Sequence, residues 1–140
     1  MKKIILKFAI LLMVLSVSCG GGQKNNVSAD TFQNARSSVE WHGAYFGIIP
    51  CADCEGISVE FTLNEDETYQ VSYVYIGKDN DIPAIFSGNF SWSEDGNCIT
   101  LDSENLPPHY KVAERMLIQL DLEGNPITGE FADMYVLKRL

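Results

Sequence analysis

The chain has 140 residues, of which 46% are hydrophobic and 21% charged, the size and composition of a single globular domain rather than a disordered segment. Nineteen acidic residues against ten basic ones give a net charge of −9; a surface of that sign repels phosphates, which excludes nucleic acid as the default partner. With two histidines and four methionines in all, the chain is neither a His-rich nor a Met-rich metal store.

Residues 1–18 read as an export signal. Met1-Lys2-Lys3 is a basic start, and residues 4–17 form an apolar run interrupted by Lys7 and Ser16. The run is too short for a comfortable permanent span and small residues follow it. Cys19 comes directly after Ser18 and before three glycines, an arrangement that resembles a bacterial lipoprotein signal, although Ser16 stands where that pattern usually has leucine. In such signals the cysteine is acylated and becomes the first residue of the mature protein. Cys19 is therefore the expected lipidation site and the membrane anchor, each buried CH₂ of the acyl chains adding about 0.8 kcal/mol. The alternative is an ordinary cleaved leader with an incidental cysteine. Residues 19–38 then comprise the lipidated cysteine and a flexible tether rich in Gly, Asn, Gln and Ser, spanning roughly 25 Å. A short helix around residues 31–36 is compatible with the sequence.

From Val39 the apolar period is two. A first strand over residues 40–49 is followed by Ile57, Val59, Phe61 and Leu63 alternating with polar residues. After a turn at Asn64-Glu65-Asp66-Glu67 come Tyr69, Val71, Tyr73 and Tyr75, then Phe86, Gly88, Phe90 and Trp92. Asp95-Gly96 signals a hairpin leading to Ile99 and Leu101. Pro107-Pro108 breaks the chain before a strand over residues 109–114; Met116, Ile118, Leu120 and Leu122 alternate next, and a last strand covers residues 134–140. These are about eight short strands with hairpin-length links and no long amphipathic helix, so residues 39–140 predict an all-β fold. A meander of that size closes into a small antiparallel β-barrel; a two-sheet sandwich is the alternative. Ile57, Val59, Phe61, Leu63, Ile118 and Leu120 are expected to point inward, and the aromatic content favours a filled interior.

The chemistry is concentrated in Pro50-Cys51-Ala52-Asp53-Cys54-Glu55-Gly56. Two cysteines three apart can close a small disulfide or hold a metal ion. Export to an oxidising compartment favours the Cys51–Cys54 disulfide. Asp53 and Glu55 raise the thiol pKa and oppose a thioredoxin-like exchange site, which needs a stabilised thiolate. The same acidity suits a cation, with Cys51, Cys54 and Asp53 as candidate ligands and Cys98, His42 and His109 as further ones that no spacing rule joins to them. Cys98 reads otherwise as a small buried thiol. No Ser/His/Asp set, paired-carboxylate signature or phosphate-cradling glycine loop stands out, so no catalytic residue is assigned.

The string from Trp41 to Ile57, with P-C-A-D-C-E-G-I at its end, resembles the signature of the NlpE family of copper-resistance and envelope-stress lipoproteins. Thr68-Tyr69, Tyr75-Ile76-Gly77, Gly88-Asn89-Phe90-Ser91-Trp92 and the stretch from Leu120 to Ile127 add to it. The order and spacing fit the N-terminal domain of that family throughout residues 39–140. The resemblance implies a lipocalin-like barrel tethered to the outer membrane and facing the periplasm. It also implies non-enzymatic sensing of copper, redox or surface-contact stress, passed to an envelope stress sensor kinase or another periplasmic protein. Better-known members carry a second domain, so roles that need it are open here. No cofactor is required on this reading, though copper or another thiol-binding metal ion is a possible one. The competing functions are a lipocalin-like carrier of a small apolar ligand and a periplasmic metal-binding protein.

Overall fold

The computed structural model describes residues 34–78 and 82–140; Cys19 and the expected leader lie outside them. Eight strands follow in chain order: β1 (Gly43–Ile49), β2 (Gly56–Leu63), β3 (Thr68–Ile76), β4 (Ala84–Trp92), β5 (Cys98–Leu101), β6 (His109–Ala113), β7 (Met116–Gln119) and β8 (Val136–Arg139). Each pairs antiparallel with the next, and β8 returns to β1, giving a closed meander barrel. The all-β barrel expected from the period-two pattern is therefore the fold, and the two-sheet sandwich is not.

The turns follow from local side-chain chemistry. In the β2–β3 link Asp66 Oδ1 accepts from the Thr68 amide at 3.2 Å and its hydroxyl at 2.6 Å. In the β4–β5 link Asp95 Oδ1 accepts from the Ser93 hydroxyl at 2.5 Å and the Asn97 amide at 3.1 Å. Gly96 there has φ of 67°, a conformation that glycine adopts without a Cβ clash.

One ring of inward residues runs in register around the first four strands: Tyr45 opposite Phe61, Phe61 opposite Val71, Val71 opposite Phe86. Across the interior Tyr110 packs edge-on against Phe61 with centroids 5.0 Å apart. Tyr45, Phe61, Val71, Ile99 and Leu117 are fully buried, so side chains fill the barrel, as eight strands allow.

Val59, Phe61, Leu63 and Leu120 are buried as expected, and Ile57 is half-buried against the core. Ile118 is not inside; Leu117 is. The cause is the two-residue turn Glu114-Arg115, which sets Ala113 opposite Met116 and so brings Leu117 opposite Val112 and Leu137. Leu120 recovers an inward position only because β7 has ended and the chain bends to an isolated bridge with Pro126. Leu122 is exposed.

The domain also starts earlier than Val39. Asn34 caps the one-turn helix α1 (Ala35–Ser38), its Oδ1 accepting from the Ser37 amide at 3.0 Å. Ala35 is buried, and its amide donates to Asn97 Oδ1 at 3.0 Å. The last residues assigned to the tether by composition are thus docked on the β4–β5 hairpin. Residues 134–140 likewise divide into a 3-10 turn (Ala132–Tyr135) and β8.

Candidate functional site

Residues 50–55 link β1 to β2 at the pole of the barrel opposite α1 and the β4–β5 hairpin. Pro50 removes a ladder donor at the end of β1 and turns the chain out. Gly56 is buried where an added Cβ would stand 2.8 Å from Ile48 Cγ2, so the chain re-enters the sheet closely against its neighbour.

Cys51 and Cys54 form a disulfide with their Cα atoms 5.3 Å apart. Both are half-buried, while Ala52, Asp53 and Glu55 are exposed. The loop is fastened to the end of β3 on one side: the Glu55 amide donates to the Ile76 carbonyl at 3.2 Å, and Lys78 Nζ donates to Asp53 Oδ2 at 2.6 Å. Lys78 also lies over the Tyr75 ring, 5.9 Å from its centroid. The Lys78 ammonium holds the Asp53 carboxyl below the ordinary carboxylate range, but the pair is exposed and adds little stability. Gly77, with φ of 82°, makes the turn that lets Glu55 pack over it.

Chemically, the oxidised pair offers no thiolate. In the oxidised loop the Cys51 and Cys54 sulfurs and an Asp53 carboxylate oxygen lie within 4.8 Å of one another, a set of that kind found nowhere else among the described residues. Two thiolates and a carboxylate suit a soft, thiol-seeking cation, in competition with Lys78 for Asp53. Among the described residues no helix N-terminus faces the pair, and the adjacent Lys78 is engaged by Asp53, so these residues supply little of the thiolate stabilisation that disulfide exchange needs.

The other candidate ligands are elsewhere. His42 lies beside Glu65, Nε2 to Oε1 3.3 Å. His109 opens β6 with Nδ1 3.0 Å from the Thr100 hydroxyl. Cys98 is half-buried rather than fully buried, and burial, with Asp95 nearby, pushes its thiol pKa up. Lys78 is the site residue that motif reading passes over; the signal for it was the β2–β3 hairpin, whose register must bring the end of β3 against the start of β2.

The profile of the NlpE N-terminal domain matches residues 45–130. Lipoprotein NlpE of Escherichia coli (strain K12) is 29% identical over 133 residues, which are 93% of this chain and 54% of that protein; the chain spans about half the length of that relative. Among solved structures, a Shewanella oneidensis protein described as a lipoprotein shares 39% identity with a TM-score of 0.67, over 76% of this chain and 95% of that one. The Cpx pathway activator NlpE from Escherichia coli shares 31% identity with a TM-score of 0.53, over 64% of this chain and 47% of that one.

Proposed function

The chain belongs to the NlpE family through its N-terminal domain, and on that premise we propose that it is a non-enzymatic envelope lipoprotein whose Cys51–Cys54 loop reports copper or redox stress. Cys19 is its lipid anchor on the outer membrane, with the barrel facing the periplasm. Its partner is an envelope stress sensor kinase or another periplasmic protein, in keeping with the description of the related Escherichia coli protein as a Cpx pathway activator.

The observation that carries this reading is the position of the disulfide. It closes an exposed connection outside the packed interior, and so small a ring contributes only about 2 kcal/mol by the loop-entropy model. A dithiol reductant that delivers two electrons and two protons converts the disulfide to two thiols and frees the loop while the barrel stays folded. The freed sulfurs then hold a soft cation such as Cu(I), with Asp53 as a further ligand once it leaves Lys78. Either event changes the surface offered to a partner. The packing of Tyr45, Phe61, Val71, Ile99 and Leu117 inside the barrel weighs against a lipocalin-like carrier role.

The test is the double substitution Cys51→Ser with Cys54→Ser in the full chain. Its far-ultraviolet circular dichroism is expected to match the parent, while copper- and oxidant-dependent stress signalling changes. Native mass spectrometry of the reduced parent is expected to retain copper that the double variant does not. Normal signalling by the variant would reduce the pair to a staple. Turnover of disulfide substrates by the reduced parent would make the protein an oxidoreductase instead.

A further inference from the structure

The barrel is paired unevenly. β4 is nine residues long and pairs with β3 from Ala84 to Asn89, but β5 covers only Phe90, Ser91 and Trp92 on its other side. Residues 84–88 therefore run beside no strand on that side.

The direction of the main-chain groups follows from the hydrogen bonds just beyond. The Phe90 amide donates toward β3, to the Glu67 carbonyl at 2.9 Å. The Asn89 amide points the opposite way and donates to Asp102 Oδ1 at 3.0 Å, and the Asn89 carbonyl accepts from the Asp102 amide at 3.0 Å. Main-chain groups alternate sides along a strand, so those of Ser87 and Ile85 face the same open side as those of Asn89. Among the described residues neither has a backbone partner there. Three of the usual edge protections are missing: residues 84–88 contain no Lys and no Pro, and the continuous register with β3 excludes a bulge. The Ile85 side chain is 62% exposed.

Alongside this edge lies a groove of about 470 Å³. Tyr69, Phe86 and Gly88 line it on the barrel side, and Asp102 and Glu104 on the other. Gly88 is what gives it room, since a Cβ there would stand 2.2 Å from Asp102 Oδ1. Asp102 is held by the Asn89 amides and the Tyr69 hydroxyl, and the backbone amide of Asn89 keeps its carboxyl below the ordinary carboxylate range. Neither Asp102 nor Glu104 has a cationic partner among the described residues.

We propose that the leading half of β4 is a docking edge for an extended, Lys- or Arg-bearing segment of another protein, which pairs with Ile85 and Ser87 and lays a basic side chain against Asp102 and Glu104. The unpaired amides and carbonyls specify an extended backbone as the ligand, the mode in which a peptide adds a strand to a sheet. Three residues of edge span about 10 Å, so the recognised core is short. The acidic wall specifies the charge. It also selects against a second copy of this chain, which would bring the same carboxylates face to face. This edge is distinct from the Cys51–Cys54 loop, and the proposal stands whether or not that loop senses metal or redox state.

The test uses the full chain and the capped peptide Lys-Val-Lys-Val-Lys-Val, with the capped Glu-Val-Glu-Val-Glu-Val peptide as control. The basic peptide is expected to bind saturably and to shift the backbone amide resonances of Ile85 and Ser87, and the acidic one to do neither. Ser87→Pro removes an outward amide without touching the β3 ladder, so binding is expected to fall at least tenfold with circular dichroism unchanged. Glu104→Gln, an exposed position that leaves the edge intact, is expected to weaken binding severalfold and flatten its salt dependence; it serves as the check if Ser87→Pro disturbs the fold. No saturable binding at millimolar peptide overturns the proposal. So does binding that neither variant weakens, protection of the Ile85 and Ser87 amides from hydrogen exchange in the free chain, or self-association of the chain through β4.

Discussion

Arg115 sits in the turn between β6 and β7 with φ of 58°, a region where the Cβ of an L-residue crowds the following carbonyl at about 1–2 kcal/mol. Its side chain is exposed and its carbonyl accepts from the Arg139 amide at 2.9 Å, a bond any residue can make. Arg115→Gly is expected to raise stability by about 0.5–1 kcal/mol, the relief of strain exceeding the extra flexibility glycine gives the unfolded chain. Urea unfolding of the two proteins measures this, and a loss of stability would mean that the arginine side chain does more than sit in solvent. Gly47 shows the opposite constraint. An added Cβ would stand 2.6 Å from Leu137 Cδ2 and 3.3 Å from the Val136 carbonyl, so any larger residue there must displace the buried Leu137 side chain and crowd β8.

At the scale of elements, β7 separates what the sequence shows from what it hides. Leu117→Ala is expected to cost about 2–5 kcal/mol, as for a buried leucine that leaves a cavity. Ile118→Ala, on the outward face, is expected to cost less than half of that by the same denaturant titration. Equal costs would put the register of β7 in doubt. The long strands were legible because each has one buried face over seven to nine residues, and a period of two is unmistakable at that length. In β7 four residues carry two aliphatics side by side, and the parity is decided by the turn before it, which the hydrophobic pattern does not encode. The start of the domain was hidden for a related reason. Asn34–Ser38 contributes one buried alanine and a cap, too little apolar content to stand out from a polar tether. The disulfide loop was legible from its spacing and compartment, whereas Lys78 enters it only through strand pairing.

For the molecule as a whole, four of the six tyrosines, Tyr45, Tyr69, Tyr73 and Tyr110, are buried in the barrel. Burial pushes each phenol pKa above its ordinary value, Tyr110 well above. In the unfolded chain these groups lose protons near pH 10. Stability from keeping them neutral is fully present below that pH and declines as pH rises, because the unfolded state deprotonates first. Part of the phenolate absorbance is therefore expected to lag and to appear together with loss of circular dichroism above about pH 10. A single smooth titration of all the tyrosines with the fold intact would contradict the filled interior. The closure of the barrel carries one more consequence, in the time domain. β1 is completed by β8, with Tyr45 opposite Arg139 and Phe46 opposite Lys138, a pairing between nearly the first and the last described residues. Contacts so distant in sequence form slowly, and synthesis delivers the N-terminal strands first. Any sheet formed before β8 pairs with β1 leaves β1 as a bare rim open to other strands, so the last step of folding is also the one that removes the barrel's edge.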